Sequence, residues 1–423
     1  MSKYFEIPNM VILIKPTSLN HTIRKLYHLM VLAIIGLLLF PKETSGQSKL
    51  DTLTDKLHQL FLKDSLPGLS VVLVNNKGIV YQKNFGFADK QNDILFTSNT
   101  IQNIGSVSKT FIAVALMKAI ELDYFTLETD INDILPFKVI NPNDPDGKIT
   151  IRELTNHTSG IVDNPEIYPN TYIFYPSFGN YNKSAFNALQ SLGYQEKVSD
   201  KSMKDFFNNY LSKSGKYYSI NNFGSGRSGS TSQYSNIASA LAAYLIEVKS
   251  GISYADFTAK YILGPLKMTQ SGWLLTSKDL TGYAKPYYSL SLNFPFYTLI
   301  TYPDGGLRTS TNDLSKYLIE IIKGYNGNSR ILSGQAFKTM FTPQFTAGNL
   351  PKGFSLTSRN KGIFWNLYNN GTIGHDGDDP GVSSYLFFNT KTGLGGIFIC
   401  NKYLPNKQPI VDLLLNATEV SIQ

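Results

Sequence analysis

Ile104-Gly-Ser-Val-Ser-Lys-Thr-Phe111 is the stretch on which the reading of this chain turns. It leads into residues 106–122, where Phe111, Ile112, Ala115, Leu116, Ala119 and Ile120 recur at helical spacing. Ser106 and Lys109 stand three positions apart, so a helix puts hydroxyl and amine on one face, within reach of each other. A serine hydroxyl becomes a useful nucleophile when a neighbouring base takes its proton. A lysine amine can do this where burial or a second cation disfavours its charged form, and the apolar face of this helix offers burial. The four-residue pattern alone is unspecific. A serine at a helix start is also an ordinary N-cap, and Ser-x-x-Lys recurs at Ser358 and Lys361, beside Asn360 and Gly362 and without helical periodicity.

Two more pieces have chemistry in them. Tyr234-Ser-Asn236 follows the Gly/Ser-rich stretch 224–232 and leads into an Ala/Leu/Ile-rich helix over 237–249. A loop there can project a phenol for proton transfer and an amide to hold a substrate. Tyr-x-Asn occurs again at Tyr168 and Tyr368, but only Tyr234 enters a helix directly. Gly374-His-Asp-Gly377 precedes a strand beginning near Val382. Its glycines permit close backbone approach; an edge strand here can bind an extended substrate, and one backbone N–H can join that of Ser106 in an oxyanion hole. The plain alternative is a polar turn with a surface histidine. Asp376, Asp378 and Asp379 do not make a calcium loop, because Pro380 breaks the pattern.

Working outward, Leu69–Leu73 and Gly78–Phe87 read as a hairpin across Asn75-Asn-Lys-Gly78. Val382–Phe388 and Leu394–Cys400 read as a second, with a last helix over Ile410–Ala417. Strands at both ends with helices between predict an α/β (α+β) fold: an antiparallel sheet flanked by helices, built from about 50–150 and 300–423, with a mostly helical insert over about 150–300. Two aromatic, irregular stretches, Tyr168–Tyr181 and Tyr283–Tyr302, are expected to wall a cleft.

Arg24 and Lys25 precede the apolar run Leu26–Phe40, then Pro41 and the small residues Thr44, Ser45 and Gly46. That order predicts a signal peptide over 1–46 and an exported, periplasmic or secreted protein, membrane-bound only if the leader is retained. The leader holds five basic and two acidic residues of a chain whose formal net charge is +8. The remainder is therefore mildly basic, with scattered charges, which gives no support to a nucleic-acid partner. The single cysteine, Cys400, excludes an internal disulfide and reads as a core thiol in a strand.

Taken in order, these motifs resemble the serine β-lactamase and penicillin-binding-protein superfamily, in the branch that holds class C β-lactamases, D-alanyl-D-alanine carboxypeptidases, D-aminopeptidases and related esterases. The resemblance covers nearly all of 55–403. Besides the three pieces above, it rests on Leu154-Thr-Asn-His-Thr-Ser-Gly160, Gly264-Pro-Leu-Lys-Met268, Gly305-Gly-Leu307 with Ser310-Thr311 and Asp313-Leu314, Pro380-Gly381 and Ser383-Ser384.

The resemblance implies that Ser106 is acylated, Lys109 is its proton partner, Tyr234 acts as general base or acid and Asn236 contacts substrate. His375 and Gly377 would stand for the Lys and Gly of the third motif, and the N–H groups of Ser106 and Asp378 would form the oxyanion hole. Lys391-Thr-Gly393 matches that motif only in letters, because it falls in the turn between the last two strands. Asp376 replaces a hydroxyl that often binds a substrate carboxylate, so an inward Asp376 should repel one. His157 is expected to stabilise a turn.

The implied function is an exported serine hydrolase acting through an acyl-enzyme on a small-molecule or peptide substrate, amide or ester, cell-wall peptides among the candidates, with no cofactor. A β-lactamase or carboxypeptidase proper is the near alternative. A non-catalytic scaffold is the distant one, and the joint presence of Ser106, Lys109 and Tyr234 argues against it.

Overall fold

The computed structural model describes residues 45–175, 180–195, 202–275 and 280–419. By contacts the chain divides at Asp51, into a unit ending there and a unit from Thr52 to Gln423. The expected leader lies outside the described residues up to position 44, and helix α1 begins at Ser45 and runs to Lys63. Among the described residues no helix is long and apolar enough to cross a membrane.

The larger unit is built on one eight-stranded sheet whose paired neighbours are all antiparallel. Its strands are β1 (Gly68–Val74), β2 (Ile79–Asp89), β3 (Ile94–Leu95), β4 (Arg359–Lys361), β5 (Asn366–Tyr368), β6 (Thr372–Asp379), β7 (Val382–Asn389) and β8 (Gly395–Cys400). They lie in the order β4-β5-β6-β7-β8-β1-β2-β3, so the two ends of the chain meet where β1 pairs with β8, Leu69 opposite Cys400.

The three strands at the centre, β7, β8 and β1, are buried at every position. That explains their near-continuous apolar sequences, since a strand covered on both faces has no solvent side to alternate with. Nearer the edge, β2 is mostly half-buried or exposed.

Helix α2 (Lys109–Glu121) packs between α3 (Asn236–Ser250) and α4 (Thr311–Tyr325), with Phe111 stacked on Tyr317 at 3.9 Å between ring centres. Ten of the thirteen α2 residues are buried, so its drive to fold is packing on several sides. Helix α3 is capped at both ends: Ser235 Oγ accepts from Ala238 N, and Gly251 takes φ 72° just past the last turn. Helix α4 packs on β1 and β8. It sits close because β8 opens with glycine: a Cβ at Gly395 would lie 2.8 Å from Leu318 Cδ2. Helix α5 (Gln408–Glu419) packs on β7 and β8.

The region from 150 to 300 is helical in its middle, but it also holds two small antiparallel ladders that the sequence reading did not anticipate. One joins the two aromatic stretches, with Tyr172–Tyr175 paired to Phe296–Leu299. Alternating aromatic residues suit a half-buried pleated surface, but neither segment shows its partner, over a hundred positions away.

Candidate active site

The nucleophile turn differs from its sequence reading. Gly105–Ser108 form a 3-10 turn and the α-helix begins at Lys109, so Ser106 sits just ahead of the helix and is not its N-cap. The turn is held from three sides. Asn103 Oδ1 accepts from Gly105 N at 2.7 Å, Ser384 Oγ donates to Ile104 O at 2.7 Å, and Leu307 accepts at its carbonyl from Ile104 N and donates its N–H to the Ser108 hydroxyl.

Lys109 is fully buried. Its Nζ lies 3.0 Å from Ser106 Oγ, 2.6 Å from Asn236 Oδ1 and 2.6 Å from the Asp304 carbonyl. Protonated, it donates to all three. Unprotonated, it keeps two N–H groups for the two carbonyl-type acceptors, and its lone pair is left facing the only partner that can also donate, the serine.

The Tyr234 hydroxyl donates to the same Ser106 Oγ at 2.8 Å, and Lys109 Nζ lies 5.0 Å from the centre of the Tyr234 ring. The Tyr234 side chain is 45% exposed. Burial of its hydroxyl end still raises the phenol above its ordinary value, with Lys109 and Ser106 pulling it back, so it holds its proton at neutral pH.

Four predicted residues, Ser106, Lys109, Tyr234 and Asn236, thus form one hydrogen-bonded group. Asp163, which the sequence reading missed, fixes Asn236 directly and Tyr234 through its neighbour Ser235. Its carboxylate accepts from Ser235 Oγ, from the backbone N–H of Asn236 and Ile237, and from Asn236 Nδ2, all at 2.8–2.9 Å. An anion on the free N–H groups of a helix start is stabilised there. Nothing marked Asp163 in the sequence, because its partners lie over seventy positions on.

His157 does more than steady a turn. It takes φ 62°, in the left-handed region, and is buried. Its carbonyl accepts from Gln233 N at 2.9 Å, its Nδ1 from Ser235 N at 3.4 Å, and its ring lies 4.5 Å from the Tyr234 ring. It therefore grips the residues on both sides of Tyr234 and supports the ring itself. Burial, with Lys361 and Lys109 nearby, holds its imidazole well below the usual range. Neutrality is what lets Nδ1 accept.

The Gly374–Gly377 motif lies inside β6, as a strand and not as the polar turn that was its plain alternative. Gly377 is glycine because of a close approach: a Cβ there would collide with the Ile104 carbonyl and sit 2.9 Å from Ser106 N. Gly105, at φ 52°, faces the same junction, where an added Cβ would lie 2.9 Å from Asp378 N. The backbone nitrogens of Ser106 and Asp378 thus flank one seam. His375 is buried, its Nδ1 2.6 Å from the Asp376 carbonyl, and burial pushes it down to about 4. It makes no hydrogen bond to Ser106, Lys109 or Tyr234 among the described residues.

Asp376 is tied outward. Lys407 Nζ bridges Asp376 Oδ2 at 3.1 Å and Asp378 Oδ2 at 2.6 Å. Burial alone would raise the Asp376 carboxyl, but Lys407 and His375 hold it below the ordinary range. Lys391-Thr-Gly393 lies in the β7–β8 turn, with Thr392 Oγ1 bonded to Thr418 O. Cys400 is buried, its thiol pushed up to about 12 by burial. No cluster of metal-ligating side chains occurs among the described residues.

Ser106 and Asn236 open on a cleft of about 720 Å³. Tyr168, Tyr172, Tyr194, Tyr288 and Tyr403 line it, with Asp304, Asp378 and Asp379.

Comparison with known proteins agrees with the fold. The family profile described as Beta-lactamase matches residues 50–419. Protein flp of Staphylococcus aureus (strain MRSA252) is 23% identical over 367 residues, 85% of this chain and 64% of flp. Penicillin-binding protein 4* of Bacillus subtilis (strain 168) is 25% identical over 202 residues, 48% of this chain and 37% of that one. This chain therefore spans less than two thirds of the length of these curated relatives. Among solved structures, the octameric penicillin-binding protein homologue from Pyrococcus abyssi superposes with a TM-score of 0.67 at 23% identity, over 86% of this chain and 77% of that one. A class C beta-lactamase superposes with a TM-score of 0.63 at 19% identity, over 90% and 98%.

Proposed function

We propose that this chain, which belongs to the beta-lactamase family, is a serine hydrolase that forms an acyl-enzyme on Ser106 and acts on a small amide, peptide or ester. The observation that carries the reading is the convergence of Lys109 Nζ and the Tyr234 hydroxyl on one oxygen, Ser106 Oγ, at 3.0 and 2.8 Å.

In the acylation step Ser106 Oγ bonds to the substrate carbonyl carbon while its proton passes to the Lys109 amine. The carbonyl oxygen gains charge facing the backbone N–H groups of Ser106 and Asp378. The bond to the leaving alcohol or amine then breaks as Tyr234 hands that group a proton, and Lys109 returns its proton to Tyr234. Water attacks the acyl-serine by the reverse route, releasing the acid and restoring the hydroxyl. Asn236 holds Lys109 in line and presents its amide at the cleft.

The outward ion pairs of Asp376 and Asp378 favour this broad reading over a β-lactamase or carboxypeptidase proper. The ammonium paired to that strand, on Lys407, is already shared by two carboxylates, which leaves little of its charge to attract a substrate carboxylate. The charge, apolar run and small residues of 24–46 support export to the periplasm or beyond.

The test is mass spectrometry after a fluorophosphonate probe, beside turnover of a chromogenic short-chain ester and a chromogenic cephalosporin. Ser106 should carry the adduct and Ser106→Ala should lose both adduct and turnover. Labelling or turnover that persists in Ser106→Ala refutes the reading.

A further inference from the structure

One end of the cleft beside Ser106 has a chemistry that the serine machinery does not use. Tyr168, Tyr172 and Tyr194 line it. Tyr172 meets Tyr168 at an interplanar angle of 90° and Tyr194 at 81°, so these rings present both faces and edges to the space beside them. Two carboxyls line the same cleft. Asp379 accepts from the Tyr172 hydroxyl at 2.6 Å and from Asn103 Nδ2 at 2.9 Å. Asp304 is 1% exposed, and its Oδ2 has no hydrogen-bond partner among the described residues.

Neither carboxyl has an ion-pair partner among the described residues. The nearby Arg308 guanidinium donates to the carbonyls of Trp273, Gly306 and Tyr297 instead. The Lys402 ammonium, also of the cleft, is spent on the carbonyls of Asp64 and Ser65. Lys109 hydrogen-bonds Asp304 at its backbone carbonyl, and its charge reaches the carboxyl without forming an ion pair.

Buried carboxyls without a cation are unfavourable, and an orphaned oxygen in a cleft wall marks a place for a partner. The partner must be positive or a strong donor. Tyrosine faces add attraction for an organic cation, which is desolvated more easily than a metal ion and gains from the ring quadrupole. Burial holds Asp304 up at about 8 and Asp379 at about 6, so Asp379 carries the charge at neutral pH and a bound cation would favour ionising Asp304 as well; burial also raises the Tyr168 and Tyr194 phenols, with Asp379 adding to both.

We propose that the Tyr168–Tyr172–Tyr194 end of the cleft, with Asp379 and Asp304, binds an organic ammonium group, so that the preferred substrates are esters or amides carrying a positively charged amine. This deepens the serine-hydrolase reading by naming the substrate class of that site, but the binding itself does not depend on acylation.

The experiment uses tetramethylammonium chloride as the probe, with sodium chloride of equal concentration as the ionic-strength control. Saturation-transfer NMR on the methyl signal is recorded with the wild-type chain and with Ser106→Ala. Saturable binding is expected in both, weakened about fivefold or more in Asp379→Asn and in Tyr194→Leu. Tetramethylammonium should also slow fluorophosphonate labelling of wild-type Ser106, which localises the probe beside the serine. Thermal melting identifies a variant that fails to fold, and Asp304→Asn then takes its place.

No saturable signal above the sodium chloride control overturns the proposal, as does an affinity unchanged in every folded variant. Because Ser106→Ala is titrated alongside, loss of ammonium binding and loss of serine chemistry are read separately.

Discussion

Replacing Gly377 by alanine tests whether strand β6 and the nucleophile turn must touch. The added methyl would collide with the Ile104 carbonyl oxygen and lie 2.6 Å from Ser384 Oγ and 2.9 Å from Ser106 N. Two of these three atoms are backbone of the turn that carries the nucleophile, so no flexible side chain can swing away to relieve the clash. Restoring ordinary contact distances requires the strand and the turn to part by about 1 Å, and a misplacement of that size costs on the order of 100-fold in rate. That is about 2.7 kcal/mol of transition-state stabilisation. Overpacking adds roughly 1–3 kcal/mol of lost stability. The assay is kcat/KM on a chromogenic ester with the labelling rate of Ser106 by a fluorophosphonate, and thermal melting to separate rate from folding. Gly334→Ala is the matched control: no atom lies within 4 Å of its added methyl, at the start of helix 334–340, and it should leave activity intact. If Gly377→Ala keeps kcat/KM within threefold of wild type, the seam is not the place where the carbonyl oxygen is bound.

His157 should behave as a positioning residue for Tyr234. His157→Gly accepts φ 62° without strain but removes the ring and Nδ1, and should lower kcat about 10- to 100-fold with KM within about twofold. His157→Asn, whose side chain can still accept from Ser235 N–H, should recover part of that loss, and a glycine variant with unchanged kcat would refute the role. Asp304 gives a pH signature. Its carboxyl, ordinarily near 3.8, sits at about 8 when folded because of burial. Between those values the unfolded chain has lost a proton that the folded chain keeps, so stability falls as pH rises, by up to about 1.4 kcal/mol per pH unit. Asp304→Asn should flatten that fall in melts taken from pH 5 to 8, and parallel curves for variant and wild type would count against it.

Local signals in the sequence carried much of this fold, and the exceptions are instructive. The hairpins at 69–87 and 382–400 were legible because runs of β-branched and aromatic residues are interrupted by turn residues, and both ends of the chain showed them. The α2 and α3 helices were legible from apolar spacing. The start of α2 was not: the 3-10 turn at Gly105–Ser108 is imposed by Asn103, Leu307 and Ser384, two of them about two hundred or more positions away. For the Gly374–Gly377 stretch the sequence left an edge strand and a polar turn both open. It is a strand because β7 pairs with it along its whole length.

By itself, the sequence determined which side chains could do chemistry and in what order they come. Reactive types at short spacing are a property of the polymer, and so are helix and strand periods. Sequence context singled out Tyr234 among the three Tyr-x-Asn copies, but tertiary structure alone decided how it is held on Ser106, by His157 and Asp163 gripping its neighbours. It alone turned Asp376 outward to Lys407, and it alone gathered Asp304 and Asp379 among tyrosines from distant segments. The physical reason is that hydrogen bonding and charge act over a few ångströms of space. Folding brings within that range residues that the chain keeps far apart, and their chemistry begins only there.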